Sequence, residues 1–111
     1  MQYLLLIYEN ETRFAKGYPD AELAEYRAFG KEFASSIKGG HALQPTHAAA
    51  TIRVRNGKTL TTDGPFAETK EQLGGFYLVE ARDREEAAAI AAKIPGARFG
   101  SVEVRPIHKF T

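Results

Sequence analysis

Asp63 is the residue that this sequence places best for general acid–base chemistry. It opens the turn Asp63-Gly64-Pro65-Phe66 after a predicted strand, and a loop at a strand end often borders a pocket. A carboxylate in such a pocket accelerates proton transfer by a factor on the order of 100 to 10,000. In the alternative interpretation the turn is structural and directs Phe66 into the core. Aspartate bonds to nearby backbone amides, while glycine and proline supply the φ values that turns require.

Two charged residues follow on the same loop and are candidate partners of this carboxylate. Glu68 would increase the proton affinity of Asp63, and Lys70 would decrease it. If both are solvated surface charges, neither has a measurable effect. The sequence leaves these two alternatives open.

Arg105 is a candidate anion ligand near the end of the last predicted strand. A guanidinium binds a carboxylate through two parallel hydrogen bonds, but the same geometry serves an ion pair with a neighbour such as Glu103 or Glu80. With Asp63 as the acid or base, the predicted ligand-binding residues are Gly64, Pro65, Phe66, Glu68, Lys70 and Arg105.

His41 is the second candidate acid or base, because an unperturbed imidazole titrates near neutrality. The alternative is a surface histidine, as for His47 and His108. An extended chain would separate His41 from His47 by roughly 20 Å, whereas the ligands of one metal ion share bonds of about 2 Å. The chain also lacks cysteine, HExxH spacing and a phosphate-binding glycine motif. No metal site and no cofactor are predicted.

The composition limits which classes of function are open. The chain has 111 residues, of which 15 are basic and 14 acidic, for a net charge of +1. The length predicts one domain. The small net charge predicts no strong attraction to nucleic acid, acidic substrates or a membrane. The apolar run from Tyr3 to Tyr8 is too short to span a bilayer, and no basic segment precedes it. The absence of cysteine is compatible with the predicted cytoplasmic location.

RNA binding needs a separate test, because RNA-recognition domains share the element order predicted below. Their third strand carries a basic residue followed by glycine, an aromatic, a small and an aromatic residue. The segment 74–81, GGFYLVEA, lacks the basic residue, the small residue and two of the aromatics. The sequence therefore predicts no RNA binding.

Hydrophobic periodicity predicts the first half of the fold. Residues 3–8 form a strand that is apolar on both faces, and residues 9–16 a polar loop. A helix from Asp20 to Lys38 follows, with Asp20 as its N-cap and a Gly39-Gly40 stop. Residues 41–45 form a short strand. Asn56-Gly57 then predicts a hairpin with Val54 opposite Thr59 and Ile52 opposite Thr61.

The second half completes an α+β pattern. Residues 76–81 form another strand that is apolar on both faces. Asp83 and Glu86 form a capping box for a helix that stops at Pro95-Gly96, and residues 101–107 alternate as an edge strand does. The order β-α-β-hairpin-β-α-β predicts a ferredoxin-like sandwich with two helices on one face of an antiparallel sheet.

Two helices cover only one face of such a sheet. One apolar set, such as Leu4, Leu6, Tyr77 and Val79 or the opposite set, would then face water at a cost of roughly 1.5–3 kcal/mol for each large side chain. Contiguous apolar patches of this kind are rare on soluble monomers. We expect a second copy to cover this face around a two-fold axis, with the hairpin folding over it as the alternative.

The segment 61–81, TTDGPFAETKEQLGGFYLVEA, resembles the DGPF branch of the YCII-related proteins, which are small bacterial domains. The opening YLLLIYE and the closing SVEVRPI also match, so the resemblance covers nearly the whole chain. It implies a ferredoxin-like fold and a homodimer packed through the sheets. DGPF proteins are often encoded beside extracytoplasmic-function sigma factors, which implies a regulatory setting.

Within the wider YCII group, which this chain resembles, some members are proposed or shown to be enzymes that use a His/Asp pair, one of them a dehydrochlorinase of a chlorinated hydroxyquinol. The first predicted helix of this chain contains no histidine, and Phe29 falls roughly where that residue would be. The pair is therefore not carried over, and Asp63 is what remains of the motif.

Two functions stay open at this point. The first is an enzyme or binding protein with a small-molecule pocket near the dimer interface, in which Asp63 is the acid or base and His41, Glu68 or Arg105 assists. The second is a non-catalytic accessory domain that binds a protein partner linked to a sigma factor.

Overall fold

The computed structural model describes residues 1–110, which form a four-stranded antiparallel sheet, a separate hairpin and two helices. The sheet order is β2-β5-β1-β6, the order of a ferredoxin-like α+β fold, and this confirms the predicted class. The elements are β1 (Gln2–Glu9), α1 (Asp20–Glu32), β2 (Ile37–Ala42), β3 (Ala50–Arg55), β4 (Lys58–Asp63), β5 (Gln72–Glu80), α2 (Arg84–Ala92) and β6 (Ser101–Pro106). Short 3₁₀ turns span Glu11–Phe14, Thr46–Ala48 and Pro95–Arg98. None of the helices in this part of the chain is long and apolar enough to cross a membrane.

The core lies between the helices and one face of the sheet. Strand β1 alternates strictly, and Tyr3, Leu5, Ile7 and Glu9 are its buried residues. The apolar members pack with Phe29 of α1 and with residues of β5 and α2. Because successive side chains of a strand point to opposite faces, Glu9 continues the buried row. It is therefore part of the strand and its core face, not of the predicted polar loop.

Helix α1 ends six residues before Lys38, the predicted last residue of the helix. Its last residue is Glu32, and Ile37 already pairs with Val79 in the sheet. Gly39 and Gly40 belong to β2 and do not cap the helix. A Cβ at Gly40 would lie 2.6 Å from the carbonyl oxygen of Phe76, so glycine is required by the close approach of β5. The predicted strand at 41–45 is thereby shifted to Ile37–Ala42.

The hairpin of β3 and β4 has the predicted register. Val54 pairs with Thr59 and Ile52 with Thr61, and Asn56 has a φ of 52°. Asn56 and Gly57 thus provide the two positive φ values that a tight hairpin turn needs. The hairpin forms its own two-stranded sheet, and Ile52 and Val54 are both more than half exposed.

The second helix has a modified form of the predicted capping box. The Asp83 carboxylate accepts a hydrogen bond from the amide of Glu86, as expected. The Glu86 carboxylate accepts from the amide of Arg82, one residue before the cap. After the helix, Gly100 crosses β1 so closely that a Cβ there would lie 2.0 Å from the Tyr8 carbonyl oxygen.

The sheet face that is turned away from the helices carries its own apolar row. Pairing places Leu4 beside Leu78 and Leu6 beside Phe76, and all four side chains are half-buried. The prediction grouped Leu4 and Leu6 with Tyr77 and Val79. That grouping is wrong, because Val79 pairs with Tyr3 and Tyr77 with Leu5 on the helix side. We call the row Leu4, Leu6, Phe76 and Leu78 the bare face.

Gly30 tests the assignment of α1 because it lies inside the helix with open space at the Cβ position. Gly30→Ala is expected to stabilise the protein by about 0.5–1 kcal/mol, since alanine loses less backbone entropy on folding. Gly57→Ala is the matched control, because Gly57 has a φ of 73°. That substitution should destabilise the protein. Urea unfolding measures the change in the free energy of unfolding of both variants. A destabilised Gly30→Ala variant would contradict the assignment of Gly30 to the interior of α1.

Candidate functional site

Asp63 ends β4 on the protein surface. Its backbone pairs with Ala50, and its exposed side chain accepts no hydrogen bond from residues 1–110. The turn is closed instead by the amide of Gly64, which donates to the Ala49 carbonyl at 2.7 Å. Thr51 also donates to the Gly64 carbonyl oxygen. The carboxylate is therefore neither a cap of its own turn nor a wall of the cavities described below.

Phe66 is 80% exposed, so the prediction that the turn directs it into the core is wrong. Its ring lies 5.8 Å from the guanidinium of Arg53 in the hairpin. Pro65 and Phe66 line an open depression of about 720 Å³ between the turn and the sheet, with Tyr8 and Leu73 on the opposite wall. Of the predicted turn residues, these two are the ones that face a cavity.

The other predicted ligand-binding residues are not brought together. Glu68 and Lys70 are exposed and form no ion pair with Asp63. Arg105 binds the Glu103 carboxylate, with Nε donating at 2.8 Å to Oε2 and Nη2 donating to the same oxygen. This is the ion-pair alternative considered for Arg105, and it lies at the edge of the sheet.

The histidines lie apart from one another on the surface. His41 pairs with Phe76, and the two ring centroids are 6.0 Å apart. This register directs the imidazole to the bare face, away from the helices. His47 and His108 are exposed. In the described part of the chain, no group of three or more His, Asp or Glu side chains is arranged to hold a metal ion.

A buried charge cluster lies on the helix side of the sheet. Glu9 at the end of β1 is 5% exposed, and Glu22 in the first turn of α1 is 4% exposed. Nη2 of Arg13 donates to Glu9 Oε1 at 2.8 Å and to both Glu22 oxygens at 3.1 Å. The guanidinium is stacked between Phe14 and Phe99, 4.5 and 3.8 Å from the ring centroids. One cation thus serves two carboxylates.

Next to this cluster is a cavity of about 280 Å³ between α1 and the sheet. Its lining is mainly apolar and aromatic, and it includes the glycine-rich segment where β2 pairs with β5. The lining residues are Ile7, Glu9, Tyr18, Leu23, Tyr26, Gly40, His41, Ala42, Gly74, Gly75, Phe76 and Tyr77. A smaller cavity of about 230 Å³ adjoins it and shares Glu9, Tyr18 and Gly74.

Glu9 gives this cavity its one acidic wall. Its Oε1 is bound to Arg13, while Oε2 accepts no hydrogen bond from the described residues. The Tyr26 hydroxyl and Glu9 Oε2 both lie against Gly96, 2.9 and 3.1 Å from the position of a Cβ there. A carboxylate oxygen and a phenol thus both lie against the last 3₁₀ turn.

The electrostatics of the cluster favour proton binding. Burial raises the pKa of Glu9 above its ordinary value, and the hydrogen bond and charge of Arg13 oppose that rise. Burial, with the charge of Glu9, also raises the pKa of Tyr26. Two groups with perturbed pKa values facing one cavity are the usual mark of a functional site.

Sequence reasoning missed this site because Glu9, Arg13 and Glu22 look like ordinary surface charges. The signal was present in β1, where the alternation of Tyr3, Leu5 and Ile7 extends to Glu9. A charged residue in phase with a buried row must be paired or protonated.

Comparison with known proteins identifies a family and similar proteins. A family model described as YCII-related domain matches residues 1–111. An uncharacterized protein of Rhizobium meliloti (strain 1021) is 39% identical over 114 residues, which covers 96% of this chain and 92% of that protein. A solved structure of 5-chloro-2-hydroxyhydroquinone dehydrochlorinase (TftG) from Burkholderia phenoliruptrix AC1100, in complex with 2,5-dihydroxybenzoquinone, matches with a TM-score of 0.54 and 14% identity. That match covers 97% of this chain and 94% of the other, and it is a likeness of fold.

Proposed function

This chain belongs to the YCII-related domain family, and from that premise we propose that it binds a small molecule in the cavity between α1 and the sheet. Glu9 would contact the polar group of the ligand and serve as the acid or base of any reaction there. The observation that carries the proposal is the carboxylate of Glu9, 5% exposed, on the wall of a largely apolar cavity. Such cavities with few polar groups are typical small-molecule sites.

The ligand is expected to be about the size of a single ring. A volume of about 280 Å³ lies near the lower end of ligand pockets. Tyr18, Tyr26 and Tyr77 provide aromatic walls for a planar or apolar body. The fold-related dehydrochlorinase processes a small ring compound, which supports this class of ligand without assigning its reaction to this chain.

Asp63 remains the competing candidate within the same proposed function. Its carboxylate is free to meet a ligand, and Pro65 and Phe66 line the larger open depression nearby. Asp63 itself does not line that depression, and it forms no ion pair within the described residues. The helix-side cavity therefore has the better chemistry, since it combines burial, a perturbed carboxyl and a phenol.

A thermal-shift screen with a metabolite library distinguishes the two carboxylates. Ligands that stabilise the wild-type protein should stabilise Asp63→Asn equally and Glu9→Gln less, because only the second change alters the carboxyl group on the cavity wall. Glutamine keeps the size of Glu9 and, in a site that favours the protonated acid, should leave the fold intact. Shifts lost in Asp63→Asn but retained in Glu9→Gln would move the ligand site to the turn.

The proposal includes a homodimer packed through the bare face. Leu4, Leu6, Phe76 and Leu78 form one apolar row on the side that the helices leave uncovered. A second copy would cover this row by two-fold symmetry, with the same patch on both subunits. Strand β6 adds Glu103 and Arg105 at the rim of the face, as a polar border of an interface would.

A non-catalytic accessory domain, linked to a sigma factor, is the second candidate function. It is favoured by the hairpin, where Ile52 and Val54 are 57% and 60% exposed. Together with Phe66 they give a protein partner an apolar surface. In that case the screen would find no ligand for the cavity, and pull-down with purified sigma factor would be blocked by Val54→Lys.

A further inference from the structure

The charges around the helix-side cavity do not balance. Glu9 and Glu22 contribute two carboxylates, and Arg13 is the one cation bonded to them. All three lie together on the helix side, and both carboxylates are at least nine-tenths buried. A buried negative charge without a partner is costly, so the excess must be neutralised by a proton or by another cation.

Glu9 is the carboxylate that Arg13 neutralises less completely. Arg13 spans both oxygens of Glu22 but only one oxygen of Glu9, so Oε2 of Glu9 is left without a donor among residues 1–110. Glu9 is also the member of the cluster that lines the cavity. An occupant of the cavity therefore meets the side chain of Glu9, in which one of the two carboxylate oxygens lacks a hydrogen bond.

The groups that face Glu9 make this region negative. Arg13 on the first 3₁₀ turn is the opposing cation. The other titratable groups around Glu9 and the cavity are Glu22 and Tyr26 on α1, Tyr18 before α1, Glu71 before β5, His41 on β2 and Arg98 on the last 3₁₀ turn, which is paired with Glu25. Burial is the main cause that raises the pKa of Tyr18, and the charges of Glu9 and Glu22 add to the rise while Arg13 opposes it.

The cavity walls also suit a cation. Tyr18, Tyr26 and Tyr77 contribute aromatic rings to the lining. A cation is attracted to the electron-rich face of such a ring, and more strongly in a site that excludes water. The Tyr26 hydroxyl beside Glu9 Oε2 adds an acceptor for a second N–H group.

We propose that the cavity binds a small organic amine in its ammonium form, with the ammonium donating to Glu9 Oε2 and the apolar body against the tyrosines. This inference rests on the proposed function and specifies the class of its ligand. Burial favours the protonated form of Glu9 in the empty cavity, whereas a bound ammonium favours the carboxylate. Binding should therefore lower the pKa of Glu9 and release protons at pH values where the empty cavity still retains them. The affinity should therefore rise with pH as Glu9 ionises and fall again when the amine itself loses its proton.

Three probes of one shape test the charge of the ligand, namely benzylamine, benzyl alcohol and benzoate. Each is titrated into the protein by calorimetry between pH 5 and pH 8, in two buffers of different ionisation enthalpy that report proton release. Benzylamine should bind at least tenfold more tightly than either of the other two, with affinity rising and proton release falling as pH increases. In Glu9→Gln this preference should disappear, while Asp63→Asn should retain it.

The outcomes separate the amine proposal from the function on which it depends. Equal or tighter binding of benzyl alcohol or benzoate, or no binding of benzylamine, overturns the amine proposal. If library compounds without an amine still lose their thermal shift in Glu9→Gln, the cavity remains the ligand site. If neither the probes nor the library distinguish Glu9→Gln from wild type, both proposals fail together.

Discussion

Replacing Arg13 by methionine is expected to lower the free energy of unfolding by about 3 kcal/mol at neutral pH. The substitution keeps an unbranched apolar side chain at position 13 but removes the guanidinium that neutralises Glu9 and Glu22 and stacks on Phe14 and Phe99. Losing one partner of a buried ion pair typically costs about 3–5 kcal/mol. We expect the lower end because the Arg13 side chain is itself 28% exposed.

The cost should depend on pH. Burial raises the pKa of Glu9 above 4.5, so its proton is held more tightly in the folded than in the unfolded chain. The stability that this proton contributes is present below pH 4.5 and is lost as pH rises through the higher pKa of the folded state. Without Arg13 that pKa rises further and the loss extends to higher pH. Urea unfolding should therefore show a small difference between variant and wild type near pH 4 and a large one at pH 8.

Arg98→Met is the matched control for this experiment. Arg98 forms a two-pronged ion pair with Glu25, at 2.6 and 2.9 Å, but both side chains are exposed. Exposed pairs contribute little to stability. Equal and pH-independent losses in the two variants would contradict the assignment of a buried charge cluster at Arg13.

The second large effect is expected at the bare face. Leu6→Glu should convert a homodimer to a monomer, because a two-fold axis places the new charge on both sides of the interface. Loss of one large apolar contact per subunit, at about 1.5–3 kcal/mol each, weakens association roughly 100- to 10,000-fold. Sedimentation velocity of wild type and Leu6→Glu from 1 to 100 µM protein measures the monomer–dimer equilibrium.

Ala88→Glu provides the comparison for the dimer. Ala88 is exposed on α2, on the opposite side of the sheet from Leu6. The variant should sediment as the wild type does. A wild-type protein that remains monomeric over the whole range would contradict the proposed interface, and the bare face would then be covered in another way.

The sequence predicted most of the fold because local chemistry and long-range pairing agree. Asn56-Gly57 specified a turn and thus the register of the hairpin. The alternation of Val102 and Val104 placed β6 correctly, with both residues on the helix side beside Ile7 and Leu5. At these positions the local signal does not depend on distant parts of the chain.

The end of α1 could not be predicted, because tertiary pairing overrides local preference there. Phe33 and Ile37 continue the apolar spacing of the helix, and Gly39-Gly40 resembles a helix stop. In the structure Ile37 is needed opposite Val79, and Gly40 is needed where the Tyr77 side chain approaches within 2.8 Å of its Cβ position. A glycine that makes room for a neighbouring strand has the same sequence signal as one that ends a helix.

The candidate site was harder to predict than the fold. Asp63 stands in a distinctive motif, whereas Glu9, Arg13 and Glu22 have no motif and become a cluster only when α1 packs on β1. Their burial depends on Gly96 and Gly100, which let the last 3₁₀ turn approach Glu9 closely. Such a cluster results from tertiary packing, so the spacing of its residues along the sequence does not reveal it.

Mapping of amide chemical shifts by NMR during titration with a library ligand tests the location of the site most directly. We expect the amide signals that shift to belong to residues around the helix-side cavity, at Glu9, Tyr26, Gly40 and Gly75, and we expect Glu9→Gln to suppress these shifts. Shifts confined to the turn from Asp63 to Phe66, unchanged in Glu9→Gln, would contradict this expectation.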